Sequence, residues 1–195
     1  MRLTFDVEGT PEIHLDVLRT ICEAYGENND LLDLMCCEAS QTRHLWFKKK
    51  TFVDIQRREV PLRECDIFVQ ADVIQFFRMI DNGREYDIIT CLDGIEHLKK
   101  EIVIVLEALA RAHAHKAVIY FTPLGDYCLQ DDDDPDHHHS GWHPEWFEAM
   151  GYTTIVFPNF HKLLGAGAFF AFKNFQGTSV REKIINKLKS KSWTL

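Results

Sequence analysis

The order of hydrophobic patterns along the chain predicts an α/β protein, a mostly parallel sheet with helices on both faces. Two observations carry this. Short apolar runs of strand length alternate with segments whose apolar residues recur at helical spacing, and the strand–helix–strand plan repeats along the chain. The run YDIITCL from Tyr86 is β-branched and apolar without alternation, which suits a strand covered on both faces rather than one with a wet side.

The elements follow in order. Thr10 to Tyr25 reads as a helix, with Pro11 in its first turn, Ile13, Val17, Leu18 and Ile21 at helical spacing, and Gly26 as the stop. LLDLM from Leu31, bounded by Asn28, Asn29 and Asp30, has the length of a buried strand, although leucines also suit a helix. Ser40 to Lys48 reads as a helix, TFVDI from Thr51 and CDIFVQ from Cys65 as strands, and Val73 to Ile80 as a short helix ending near Gly83. After YDIITCL, Ile95 to His113 is helical in spacing, and HKAVIYFTP from His115 is a strand closed by Pro123. Pro144 to Met150 is a short helix. YTTIVF from Tyr152 and AGAFFAFKN from Ala166 are strands that suit an antiparallel hairpin at a sheet edge. Ser179 to Ser190 is a basic amphipathic helix with Val180, Ile184, Ile185 and Leu188 on one face.

Composition bounds the function. A chain of 195 residues with 46% hydrophobic and 27% charged residues fits one domain, 1–195, with a sizeable core. Its 22 basic against 30 acidic residues leave a net charge of −8, which gives no general field for phosphate backbones and disfavours nucleic acid as a partner. No apolar run reaches the roughly 18 residues of a membrane span, and MRLTFDVEGTPE lacks the basic flank and apolar stretch of a secretory signal, so a cytoplasmic protein is expected. Six cysteines without a C-x-x-C suit reduced thiols better than a disulfide framework or a zinc site.

Ligands in open parallel sheets bind outside the carboxyl ends of the strands, near the switch point. That rule selects Asp33 to Ala39, then Asp54, then Gln70 to Asp72, then Leu92 to His97, with three acids at the ends of successive strands as the main constellation. An acid after the second strand can accept two hydrogen bonds from a ribose diol.

On these residues the chain resembles the class I S-adenosylmethionine-dependent methyltransferases, over about Ile13 to Lys173. LLDLMCCEAS stands at the glycine-rich first motif, FVDI and VQADV follow, and YDIITCLDGIEHL stands at the fourth; HSGWHPEWFEAMGYTTIVF is similar to the family's late stretch. The resemblance implies a Rossmann-like sheet of seven strands in the order 3-2-1-4-5-7-6, the seventh antiparallel. It implies S-adenosylmethionine as cofactor, with Asp33, Met35 and Cys37 at the first motif and Asp54 on the ribose hydroxyls. Asp72 and Val73 would then lie at the adenine edge, and Leu92 and Asp93 at the methionine side. The sequence departs from the family pattern where acid-x-Gly-x-Gly-x-Gly is usual, because Met35, Cys37 and Ala39 stand at the glycine places. Side chains there are expected to crowd the cofactor, since glycine permits both close approach and unusual dihedrals.

Methyl transfer needs orientation more than a nucleophilic residue. A general base would serve a hydroxyl or amine acceptor, a small molecule or a protein side chain. His97 and His143 are the main candidates, with Glu96 and His139 beside them. Glu96 and His97 equally suit the first turn of a helix. DDDDPDHHH from Asp131 reads as a solvated loop within Gly125 to Gly141, because adjacent ligands on a loop specify no metal geometry; no metal site is expected. Trp142 and Trp146 serve either a lid or the packing of the short helix. Cys36 and Cys37 lack an identifiable activating partner. The lysines of the last helix fit an acidic partner or plain solvation. A methyltransferase fold kept as a silent interaction subunit, and another nucleotide-binding protein using Asp54, are the competing functions.

Overall fold

Eight strands form one sheet in the order β1-β7-β8-β6-β5-β2-β3-β4. The computed structural model describes residues 1–6, 11–57, 59–80, 85–127, 129–130, 134, 136–161, 166–191 and 193. The strands are β1 (Arg2–Thr4), β2 (Asp30–Leu34), β3 (Lys49–Asp54), β4 (Ile67–Gln70), β5 (Tyr86–Leu92), β6 (Ala114–Pro123), β7 (Thr153–His161) and β8 (Ala166–Asn174). The helices are α1 (Pro11–Glu23), α2 (Val73–Ile80), α3 (Lys100–His113), α4 (Pro144–Ala149) and α5 (Thr178–Lys189), with a 3-10 turn at Ile95–His97. Thr10, Gly83 and Cys128 lie outside the described residues.

All neighbouring strands run parallel except β8, which is antiparallel to both β6 and β7. From β2 onward this is the expected seven-strand order. Three elements differ from expectation. The eighth strand, β1, adds parallel to β7, with Arg2 opposite Thr154, so the β7–β8 pair is not the sheet edge. At three residues β1 is too short for a period to register in the sequence; Arg2 holds it down through Glu148 (2.7 Å) and Glu145 (2.5 Å) on α4. Ser40–Lys48 forms turns rather than a helix, because Lys50 Nζ takes the carbonyls of Thr42 (3.0 Å) and Arg43 (2.7 Å) that further helical turns would need. The expected helix from Ile95 breaks after His97, and α3 starts only at Lys100.

Alternation along each central strand builds two cores. Leu31, Ile88, Ile119 and Phe170 face α1 and α5, while Leu32, Ile89, Val118 and Phe169 face α2, α3 and α4. The basic helix α5 and the residues after it find acids within the chain, Lys187 on Glu23 (2.8 Å) and, just past the helix, Lys191 on Asp16. Trp142 is buried and packs edge-on against Trp146 beside Phe147, so these aromatics pack α4 onto the sheet. Cys22, Cys36, Cys37, Cys65 and Cys91 are free thiols.

Candidate functional site

The carboxyl ends of β2, β3, β4 and β5 open into one cleft of about 190 Å³. Met35, Cys37, Asp54, Asp72, Val73, Asp93 and His97 line it, with Ile55, Gln56, Leu98 and Asp136. Seven of the twelve candidates from the sequence therefore converge.

The wall after β2 is a loop of unusual backbone. Met35, Cys37 and Ala39 have φ of 53°, 48° and 53°, all left-handed. A residue with a side chain pays about 1–2 kcal/mol for that region, which is why glycine is the usual occupant. Surrounding bonds hold it there. Cys36 N–H extends the ladder to the Val53 carbonyl (3.1 Å), Cys37 N–H donates to Asp54 Oδ2 (2.8 Å), and Ala39 N–H donates to the Cys36 carbonyl (2.7 Å). Beneath the loop, Asp33 is buried and accepts the hydroxyls of Thr42 and Thr90, the latter at 2.6 Å. Burial raises its carboxyl to about 6, against the lowering effect of those hydroxyls. Asp33 thus anchors the loop from below rather than lining the cleft.

Asp54 clamps both sides of the cleft floor. Its Oδ1 accepts Gln56 N–H (2.9 Å) while Oδ2 takes Cys37 N–H. Asp72 caps α2 through one oxygen, Oδ1, which accepts the N–H groups of Ile74 (2.9 Å) and Gln75 (3.0 Å). Asp93 is the fourth left-handed residue, φ 48°, exposed into the cleft and hydrogen-bonded by Gln41 Nε2 at 2.8 Å. Three residues on, Glu96 is buried and accepts the Thr122 hydroxyl at 3.0 Å. Desolvation pushes the carboxyl of buried Glu96 upward, and the nearby Asp93 charge raises it further.

His97 donates Nδ1–H to the His137 carbonyl (3.1 Å), and burial lowers its pKa, so the neutral ring keeps a lone pair on Nε2. The histidine-rich loop folds back over this corner, with His139 and Ser140 N–H donating to the Glu96 carbonyl (2.7 and 3.0 Å) and Gln56 Nε2 reaching Asp136 Oδ1 (3.4 Å). Asp131 to Asp133 and Pro135 lie outside the described residues. Leu92 is buried in the α1–α5 core, and His143 is exposed ahead of α4; neither lines the cleft. Gln41, Gln56, Asp136 and His138 were not singled out by sequence. Gln41 was findable as the polar residue immediately after the motif, whereas Gln56 and Asp136 meet across 80 residues, which no local pattern reveals.

No family model matches the chain, and no curated protein matches it. Solved structures do, and they show its fold: the chain has the class I methyltransferase fold. It is similar to DhpI in complex with SAH, at TM-score 0.60 and 13% identity over 85% of each chain. It is similar to the methyltransferase domain of bacterial CtHen1, at TM-score 0.59 and 17% identity, covering 85% of this chain and 100% of that one. It also resembles magnesium protoporphyrin IX methyltransferase (ChlM) from Synechocystis PCC 6803 with bound SAH, at TM-score 0.56 and 11% identity, covering 84% and 81%. At such identities the likeness establishes the fold. No helix among the described residues is long and apolar enough to cross a membrane.

Proposed function

We propose that the protein transfers a methyl group from S-adenosylmethionine to a small molecule or a protein side chain. The observation that carries this reading is the left-handed backbone at Met35, Cys37 and Ala39, the three places where the family has glycine. The conformation that glycine serves is kept without glycine, which supports a loop still shaped for a ligand rather than one relaxed after losing it. The residues fit the cofactor. Asp54 would hold the ribose hydroxyls at the cleft floor, Asp72 and Val73 the adenine edge, and Asp93 the cationic methionine side. The bound cofactor would supply an electrophilic methyl group on a sulfonium.

The chain's own groups would do the rest. Val73 and Leu98 give the cleft apolar walls, and Nε2 of neutral His97 is available to take a proton or to coordinate. No Lys or Arg lines the cleft among the described residues, while four Asp do, which speaks against a phosphate-rich acceptor.

Calorimetric titration with S-adenosylmethionine and S-adenosylhomocysteine, with simple nucleotides as competitors, tests the reading. Saturable one-site binding of both adenosyl ligands is expected. Absence of binding by folded protein would favour a silent interaction subunit, and displacement by simple nucleotides would favour another nucleotide-binding function.

A further inference from the structure

We infer that Glu96, His97 and His138 form a binding site for one divalent transition-metal ion of the Zn²⁺ or Co²⁺ kind, at the inner corner of the cleft. One ligand atom from each of the three lies within 4.8 Å of the others. Two imidazoles and one carboxylate are a donor set for borderline metals, whereas Mg²⁺ and Ca²⁺ prefer all-oxygen cages. On a tetrahedral ion with bonds of about 2.1 Å, ligand atoms sit about 3.4 Å apart. The side chains need close by little more than an ångström.

The imidazoles are also in the right form. His97 Nδ1 lies 3.1 Å from the His137 carbonyl, and His138 Nδ1 lies 3.0 Å from the Tyr127 carbonyl. A carbonyl only accepts, so in both rings Nδ1 carries the proton and Nε2 presents its lone pair. Metal-binding histidines are oriented by just such a bond on the other nitrogen. The two rings meet edge to face, with centroids 4.9 Å apart. Glu96 adds a buried carboxyl oriented by the Thr122 hydroxyl, and its own carbonyl ties down the main chain at His139 and Ser140, next to His138. The ligands thus come from two segments that backbone bonds hold together, unlike a run of neighbours on one loop. Three protein ligands leave an open position for water or an oxygen of a bound molecule. Because His97 also lines the cleft, an ion here borders the space assigned to the reaction.

The site stands independently of methyl transfer, and its test uses no cofactor. Full-length protein is stripped with a chelator, exchanged into metal-free buffer and titrated with Co²⁺, reading visible d–d absorption, and with Zn²⁺ by calorimetry. One equivalent per chain is expected, with Co²⁺ bands of a four- or five-coordinate ion. His138→Ala and Glu96→Gln should each weaken binding by more than the roughly 10–100-fold that losing a supporting partner costs. The double variant His137→Ala/His139→Ala, which leaves the three ligands in place, should bind as the parent does. Circular dichroism checks that every variant is folded; should Glu96→Gln not fold, His97→Ala takes its place. Sub-stoichiometric or absent binding, or binding lost only in the His137/His139 variant, would overturn the assignment.

Discussion

Cys37 N–H donates to Asp54 Oδ2 at 2.8 Å, which ties the left-handed turn after β2 to the end of β3. The same carboxylate receives Gln56 N–H on its other oxygen, so one acid sets the shape of the cleft floor on both sides. Removing it should be felt twice. Asp54→Ala is expected to lower stability by about 1–3 kcal/mol, because two part-buried N–H groups lose a charged acceptor. It should also weaken S-adenosylmethionine binding by about tenfold or more, since hydrogen bonds to a charged group contribute roughly 1.5–3 kcal/mol each. Urea denaturation and calorimetry on the same preparation separate the effects; unchanged affinity would remove Asp54 from the ribose.

The left-handed loop predicts a sign that contact counting would miss. Cys37 is exposed with φ 48°. Cys37→Gly should raise stability by about 0.5–1 kcal/mol, the relief of left-handed strain less the added chain entropy of glycine. Cys37→Val should lower it, since a β-branched residue is worst suited to positive φ. Equal midpoints for all three proteins in urea would show that the loop stores no such strain.

Much of this was legible beforehand, and the failures are physical. Val73–Ile80 and Tyr86–Leu92 begin and end where their apolar runs do, and the strand order from β2 onward followed from the resemblance. Ser40–Lys48 failed because the side chain of Lys50, just beyond the segment, takes the carbonyls of Thr42 and Arg43, a side-chain-to-backbone bond that apolar periodicity does not carry. The acid-to-strand-end rule brought Asp54, Asp72 and Asp93 into one cleft. It put Asp33 there too, yet side chains alternate along a strand, and Asp33 turns to Thr42 and Thr90 instead. His138 was hidden in a histidine run whose folding back onto Glu96 depends on long-range backbone bonds.

Gly94 and Met35 should be energetically coupled. A Cβ on Gly94 would lie 2.8 Å from Cys91 Sγ and 3.0 Å from Met35 Cβ. Gly94→Ala is therefore expected to cost about 1–3 kcal/mol by overpacking. The cost should shrink in a Met35→Gly background, where one of the two obstructing groups is gone. A double-mutant cycle in urea measures the difference, and strict additivity would mean that Met35 can move aside freely.

Two buried groups give opposite pH slopes. His14 is buried against Phe121 and Phe170, and desolvation lowers its pKa from 6.5 to about 4. As pH falls from 6.5 toward 4 the unfolded chain takes up a proton that the folded chain refuses, so stability is lost by up to roughly 3 kcal/mol. His14→Phe should abolish that loss. Asp33 acts in reverse, because its folded pKa is raised from 3.8 to about 6. Its contribution is full below pH 3.8 and disappears as pH rises through 6, a dependence that Asp33→Asn should remove. Urea midpoints from pH 4 to 8 read both; a variant that keeps the parent's slope would refute the assignment for that residue.

The most direct test of the central claim is a crystal structure of the protein with S-adenosylhomocysteine at saturating concentration. The ligand is expected in the cleft, its ribose hydroxyls within hydrogen-bond distance of the Asp54 carboxylate and its main contacts to the Met35–Ala39 loop with that loop still left-handed. A ligand seated elsewhere, or a cleft that stays closed to it while Met35 and Cys37 fill the space, would contradict a working cofactor site on this fold.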